Sequence, residues 1–147
     1  MNQVLAEIAE ADKYHVLVGV MGDKAARSGD DGVTNAMLAY VHEYGSPARN
    51  IPARPHIMPG IQAALGDIER LSRAGILAAL NGQNGAVMNL LGQVGAVAVG
   101  SIQQKIATGP FAPLAPQTIK RKGSSKPLID TGQYRQSFSY KVVERGE

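Results

Sequence analysis

The C-terminal part of the sequence concentrates positive charge in one short segment that could contact phosphate groups or acidic protein surfaces. Lysine and arginine neutralise phosphate oxygens, and neighbouring serine hydroxyls can add hydrogen bonds. With so few charges, a solvated loop or a salt-bridged surface between subunits is the stronger interpretation. Neither an aromatic stacking motif nor a helix-turn-helix pattern accompanies the segment, so sequence-specific recognition of nucleic acid is not predicted. Its four cations are Lys120, Arg121, Lys122 and Lys126.

Residues suited to catalysis or metal binding are sparse. His15, His42 and His56 are scattered and lack the HxxxH or HExxH spacing of metal sites. Asp30 and Asp31 lie in a glycine-rich loop without the spacing or the bidentate glutamate of an EF-hand. The chain also lacks cysteine, a GxSxG motif and a phosphate-binding glycine motif. We therefore predict no enzymatic activity, no metal and no cofactor, which disfavours a hydrolytic or maturation enzyme.

Charge is divided unevenly along the chain. Its 147 residues carry a formal net charge of +3. From Lys105 onward, eight Lys and Arg stand against three Asp and Glu, whereas residues 1–104 contain seven against nine. A basic C-terminal third could bind a polyanion or the acidic face of a neighbouring copy. The length fits one domain over residues 1–147, with a largely aliphatic core.

Residues 74–104 carry no charge, but their pattern favours a buried helical hairpin over a membrane span. Asparagine, glutamine and glycine interrupt the stretch, and its longest apolar run falls short of the ~18–20 residues that cross a bilayer. The pattern predicts helices over Gly60–Leu80 and Ala86–Ala107, joined by an Asn/Gly-rich turn. Glu7 and Glu10 near the start argue against a signal peptide. No membrane partner is predicted.

Shorter periodic segments predict the other elements. Tyr14–Met21 and Ser137–Val143 alternate with period two, so we expect two strands that pair, the first of them central. Together with the hairpin they predict an α+β fold, in which a small mixed or antiparallel sheet packs against the hairpin. An extended proline-rich arm over Ser46–Pro59 and a basic loop complete the subunit. The helical segments are Asn2–Ala11, a helix between the N-cap Thr34 and Gly45, Gln117–Lys122, and a turn spanning Asp130 and Gln133.

Helical spacing also predicts which side chains face the core. On the first helix the apolar residues Val4, Leu5 and Ile8 should point inward. On the second, Met37, Tyr40, Val41 and Tyr44 form the apolar stripe, which leaves His42 and Glu43 solvated or at a contact. Glycine is costly inside a helix, so we expect a closely approaching backbone at three positions. These positions are Gly92, Gly95 and Gly100.

Two segments resemble signatures of tailed-phage virion morphogenesis proteins, the tail-completion or neck group that includes tail-terminator-like proteins. The first is HEYGS at residues 42–46 followed by IPARPHI at residues 51–57. The second begins with PLAP at residues 113–116 and continues through KGS at residues 122–124 to PLIDTGQ at residues 127–133. Val18, Gly19 and Val20 fit the first strand of that family, and Thr118, Ile119 and Ser137 fit its second signature.

The chain departs from the resembled pattern at two positions. His56 stands where the family usually has an aromatic residue such as Phe, and Tyr134 stands where Leu is common. We expect both to be apolar surface positions.

The resemblance implies a small α+β subunit that forms a ring, typically a hexamer, at the head-proximal end of a phage tail. Such a ring terminates or completes the tail and joins it to the head. The implied partners are further copies of the chain, the tail tube protein and the head–tail connector or stopper protein. Genomic DNA would pass through the lumen without sequence-specific contact. The implied location is the tail or neck of the virion, after assembly in the host cytoplasm.

These patterns predict that Ser46–Pro59 and Gly109–Asp130 make most contacts between subunits and between rings. A ring needs two unlike patches that meet, and the proline-rich arm and the basic segment supply reach. The alternative hypothesis is an accessory protein that binds nucleic acid without sequence specificity through the basic C-terminal region. The assembly residues assigned are Glu43, Tyr44, Ile51, Arg54, Pro55, His56, Lys120, Arg121, Lys122, Lys126, Asp130, Gln133 and Arg135.

Overall fold

The structure, a computed structural model, describes residues 2–26, 32–123, 125–128 and 132–146. Asp30 and Asp31 of the glycine-rich loop and Asp130 lie outside these residues. The α+β class is confirmed, because a two-stranded antiparallel sheet packs against a helical hairpin. In chain order the elements are α1 (Asn2–Lys13), β1 (Tyr14–Val20), α2 (Asn35–Tyr44), α3 (Ile57–Leu80), α4 (Ala86–Thr108), α5 (Pro116–Lys122), α6 (Gln133–Gln136) and β2 (Phe138–Glu144).

The hairpin pairs α3 with α4, and α4 also contacts both strands. Ile102 and Ile106 of α4 and Phe138 of β2 are almost completely buried and form the centre of the main core. Among the described helices, α4 alone is long and apolar enough to cross a bilayer by length and composition. Its apolar surface is used here against α3 and the sheet, as the predicted hairpin requires.

The predicted pairing of the two strands is confirmed, whereas the predicted central position of β1 is wrong. The antiparallel register runs from Tyr14 opposite Glu144 to Val20 opposite Phe138. Within the described residues the sheet has two strands, so β1 has a single strand neighbour. Helices α1, α2 and α4 contact β1. These contacts explain why apolar residues occur on both faces of the strand.

Several boundaries differ from the predicted ones for identifiable reasons. Helix α1 continues to Lys13 and leads directly into β1. Helix α3 begins at Ile57 within the predicted proline-rich arm, and Pro59 lies in its first turn. A proline is tolerated there because the first N–H groups of a helix have no partner inside it. The arm is thus shorter than predicted, and it opens with a backbone bridge between Ser46 and Ile51.

The predicted inward faces of α1 and α2 are largely wrong, because only Val4 and Val41 of the residues predicted to point inward are half-buried. Leu5 and Ile8 on α1 are exposed, and the buried side chain of that helix is Glu7. On α2, the large exposed side chains are Met37, Tyr40 and Tyr44, and Glu43, which was predicted to be solvated or at a contact, is buried. The inward side chains Glu7 and Glu43 accept hydrogen bonds from backbone groups of other elements. The periodicity of apolar residues therefore predicts the wrong buried face for α1 and α2.

The expected close backbone approach at the three glycines of α4 is wrong, because no backbone atom of another described element is among those nearest to their Cβ directions within the subunit. Gly95 faces the ring of Tyr140, which leaves no room for a Cβ, whereas Gly100 faces open space. The close backbone approach between the two hairpin helices is at Gly60 of α3, where a Cβ would lie 2.8 Å from the Cα of Ile102. The hydroxyl of Ser101 donates a hydrogen bond to the Gly60 carbonyl oxygen at 2.6 Å, which fixes this crossing.

Alanine substitution at two glycines of α3 tests this packing. Gly60→Ala should lower the free energy of unfolding by about 1–3 kcal/mol, because the new methyl group overlaps the α4 backbone. Gly66→Ala should raise it by up to about 1 kcal/mol, because Gly66 lies in the same helix with no atom near its Cβ direction. Urea denaturation of both variants measures the difference. Equal stability of the two variants would contradict the close crossing.

Candidate functional site

The centre of the site is the carboxylate of Glu43, which caps the N-terminus of α3. Its Oε2 accepts hydrogen bonds from the backbone N–H groups of His56 and Ile57 at 2.8 and 2.9 Å, and its Oε1 accepts one from Met58 at 3.1 Å. These N–H groups have no partner within the helix, and the helix N-terminus favours negative charge. Glu43 therefore fixes the end of α2 to the start of α3.

Local sequence brings these elements together. Gly45 ends α2 with a positive φ of 75°, which favours glycine, and its N–H donates to the carbonyl oxygen of Val41 at 2.8 Å. A Cβ at Gly45 would lie 2.8 Å from the backbone nitrogen of Ala53, so only glycine allows the returning chain this close. Paired hydrogen bonds between Ser46 and Ile51 then close the turn that leads back to α3.

His56 joins this cap to the C-terminal part of the chain. Its Nδ1 lies 2.8 Å from the carbonyl oxygen of Arg54, and its Nε2 lies 2.5 Å from the hydroxyl of Tyr134. A carbonyl oxygen can only accept, so Nδ1 carries the proton and donates to Arg54. In the neutral ring Nε2 then accepts from the Tyr134 hydroxyl. Edge-to-face ring contacts with Tyr134 and Phe138 complete the surroundings of the imidazole.

Arg54 makes the second connection between the two parts of the chain. Its Nε donates to the carbonyl oxygen of Ala112 at 2.7 Å and its Nη2 to that of Pro113 at 2.9 Å. The backbone N–H of Arg54 donates to the backbone carbonyl oxygen of His42 at 2.6 Å. The guanidinium thus satisfies carbonyls of the segment between α4 and α5, which contains no regular structure of its own.

Burial and hydrogen bonding shift the titration of the network. Burial would raise the pKa of the Glu43 carboxyl, but the N–H groups of His56, Ile57 and Met58 together hold that pKa below its ordinary value. Burial lowers the pKa of the His56 imidazole, against the opposing effects of Arg54 and Glu43. Burial, with the nearby Glu43 charge, raises the pKa of the Tyr134 hydroxyl. The network therefore contains a carboxylate, a neutral imidazole and a neutral phenol, as the hydrogen bonds require.

The structure therefore brings together the two segments that carry the resemblance. Arg54 and His56 of the first segment bind Pro113 and Tyr134 of the second. The two departures from the resembled pattern, His56 and Tyr134, are hydrogen-bonded to each other. The expectation that they are apolar surface positions is wrong, because both are buried in the core. A polar pair replaces what the pattern would fill with two apolar side chains.

The predicted assembly residues divide into two groups. Glu43, Arg54 and His56 are buried and satisfied inside the subunit, so their side chains cannot form the outer contact surface. Asp130 lies outside the described residues. The Nζ of Lys122 donates to the carbonyl oxygen of Lys126 at 3.4 Å, within the basic segment. Exposed side chains are Tyr44, Pro55, Lys120, Arg121 and Lys126, and half-buried ones are Ile51, Lys122, Gln133 and Arg135.

Sequence reasoning missed two residues of comparable importance. Glu7 caps α4, since its Oε1 accepts from the N–H of Gly85 at 2.7 Å and its Oε2 from Val87 at 3.1 Å. The signal was a glutamate between two apolar positions of α1. Asn35 is buried and donates to the carbonyl oxygens of Lys24 and Ala26. No pattern in the sequence distinguishes it from an ordinary first residue of a helix.

The hydrogen-bonded side chains of the site connect distant segments of the subunit. In the part of the chain that the structure describes, no group of three or more His, Cys, Asp or Glu side chains could hold a metal ion. The Glu43 carboxylate and the His56 ring nitrogens are all engaged by partners within the subunit. The network therefore holds two distant segments in one arrangement.

Comparison of the chain with protein-family models, with curated proteins and with solved structures gives no match. The functional interpretation therefore rests on the residues and contacts of this chain.

A double-mutant cycle tests the pairing of His56 with Tyr134. His56→Phe and Tyr134→Phe should each cost about 1–3 kcal/mol in the free energy of unfolding. His56→Phe leaves the Tyr134 hydroxyl and the Arg54 carbonyl without the imidazole, and Tyr134→Phe leaves Nε2 of His56 without the hydroxyl. The double variant should cost less than the sum by about 1 kcal/mol. Tyr40→Phe, at an exposed tyrosine, is the matched control and should be additive with His56→Phe. Additive costs for His56 and Tyr134 would show that the two are not coupled.

Proposed function

We propose that the chain is a structural subunit of a ring at the head-proximal end of a tailed-phage tail, where it terminates or completes the tail and joins it to the head. Two lines support this proposal. The resemblance of residues 42–57 and 113–133 to signatures of tail-completion proteins supports this kind of assembly. The exposed surface of the subunit supports the more general inference that the chain assembles with other subunits.

The observation that carries the proposal is the amount of exposed surface. The chain exposes 9264 Å², whereas a compact monomer of its 15.5 kDa mass exposes about 7,200 Å². The difference of about 2,000 Å² falls in the range that stable subunit interfaces bury. Large apolar side chains contribute to it on the outer faces of α1, α2 and α3. A subunit that is completed by neighbours explains this surface.

The hydrogen bonds of Glu43 and Arg54 within the subunit explain how it could hold its contact segments in place. Arg54 connects the first signature to the second, and Glu43 fixes α2 to α3, so Tyr44 and the segment that leads into α5 are fixed relative to one core. Lys120 and Arg121 lie exposed on α5 and Lys126 lies exposed shortly after it. We assign this basic surface to contact with an acidic protein surface of the tail tube or the head connector.

The same basic surface favours a second candidate function, binding of nucleic acid without sequence specificity. The two functions differ in their dependence on salt. Binding that uses phosphate contacts weakens steeply as salt increases, because bound counterions are released. Sub-micromolar binding of duplex DNA with a steep salt dependence would favour this candidate. Weak binding is the result that a structural ring subunit predicts.

Charge reversal on α5 tests the proposed role. In a phage genome that encodes this chain, Lys120→Glu with Arg121→Glu should lower the yield of joined virions by about tenfold or more. Like charges that face each other across an interface cost more than the ~1.4 kcal/mol that corresponds to tenfold. The matched control is Lys24→Glu with Lys141→Glu, which makes the same charge change at exposed lysines elsewhere. The control should give normal yields.

Electron microscopy of particles made without the chain completes this test. Overlong tails would identify a terminator, and normal-length tails that fail to join heads would identify a completion factor. Normal virions without the chain would contradict the proposed function. Wild-type yield from the α5 variant alone would contradict only the role of the basic surface.

A further inference from the structure

Eight strongly exposed apolar side chains form two separate groups on the subunit, and Met58 and Leu65 of α3 are comparably exposed but belong to neither group. The α2 patch follows one face of α2 at positions i, i+3 and i+7 and consists of Met37, Tyr40 and Tyr44. The hairpin-end patch lies where α1 meets the end of α3 and consists of Leu5, Ile8, Ile76, Leu77 and Leu80. Each of these eight side chains is between 51% and 67% exposed. Neither group is covered within the described residues of the subunit.

The two patches lie at opposite ends of α3. Glu43 fixes the end of α2, and with it the α2 patch, to the first turn of α3. Glu7 fixes α1 to the turn between α3 and α4, beside the other end of α3. Helix α3 has 24 residues, which corresponds to about 36 Å. The patches therefore cannot cover one another inside a single subunit.

The chemistry of the two patches is complementary. The α2 patch presents two tyrosine rings whose centroids are 5.0 Å apart, and the exposed residues of α2 include no charge. The hairpin-end patch presents aliphatic side chains on which such rings can pack. Beside it, the turn exposes the amides of Asn81, Gln83 and Asn84, which can hydrogen-bond to tyrosine hydroxyls. The tyrosine rings of one patch can therefore pack on the aliphatic side chains of the other, and their hydroxyls can bond to the nearby amides.

The exposed area is sufficient for two interfaces. The excess surface of about 2,000 Å² over the whole chain exceeds the roughly 1,600 Å² that one subunit buries in two standard interfaces, at about 800 Å² from each partner. Exposed tyrosines are also enriched at the centres of interfaces. A second copy of the chain is the partner that accounts for both patches at once.

We propose that the α2 patch of one copy binds the hairpin-end patch of the next copy. This inference rests on the proposed function and deepens it, because it names the contact that builds the ring. The contact joins two unlike surfaces and is therefore heterologous. Repetition of a heterologous contact around a rotation axis closes a ring.

Two variants that each block one patch test this arrangement. Tyr40→Lys places a charge in the α2 patch, and Leu77→Lys places one in the hairpin-end patch. Both positions are exposed on helices, and a lysine in the last turn of α3 suits the helix C-terminus. Each purified variant alone should be monomeric by native mass spectrometry. Mixed in equal amounts, the two should form a dimer of one Tyr40→Lys and one Leu77→Lys chain and nothing larger, because one intact pair of patches remains.

The control is Leu65→Lys, which changes an exposed leucine of α3 that belongs to neither patch. This variant should assemble as the wild type does. Assembly of either blocking variant alone, or a mixture that stays monomeric, would overturn the proposed contact. A wild-type chain that stays monomeric would contradict the proposed ring itself, whereas wild-type assembly that neither blocking variant disturbs would contradict only the pairing of these patches.

Discussion

The arrangement of the subunit depends on one interaction, the carboxylate of Glu43 on the N-terminus of α3. Three backbone N–H groups converge on it, and the rest of the site follows from their positions. With the start of α3 fixed, His56 lies against Tyr134 and Arg54 reaches the carbonyls of Ala112 and Pro113. A charge-assisted cap of this kind is stronger than a neutral one, and its loss would leave buried N–H groups without partners.

A second carboxylate performs the same task for the other helix of the hairpin. Glu7 of α1 caps α4, as Glu43 of α2 caps α3. Each helix of the hairpin therefore starts on a glutamate from a helix that precedes the hairpin in the chain. Because these two helices turn a glutamate inward, their apolar side chains Leu5, Ile8, Tyr40 and Tyr44 remain on the outside. The caps and the exposed patches are two results of the same orientation.

The sequence allowed prediction of the elements but not of how α1 and α2 are oriented. The uncharged stretch and its Asn/Gly turn were sufficient for the hairpin, and period-two alternation was sufficient for the paired strands. The faces of α1 and α2 were predicted wrongly, because apolar periodicity assumes that buried side chains are apolar. Here the inward positions serve distant backbone groups, and that demand is visible only in three dimensions.

Prediction of the candidate site had a similar limit. Local motifs marked Glu43, Arg54 and His56 as important, but they could not distinguish a buried tie from an outer contact. The pairing of His56 with Tyr134 spans 78 positions of the sequence, so no local pattern could reveal it. The exposed residues Tyr44, Lys120 and Arg121 remain candidates for contact with partners.

The proposed ring requires that this chain be completed by copies of itself. The most direct test is electron microscopy of the purified full-length wild-type chain, combined with its native mass. A closed ring predicts ring-shaped particles of one discrete mass, a whole-number multiple of the 15.5 kDa subunit. A monomeric mass for the wild-type chain would contradict it.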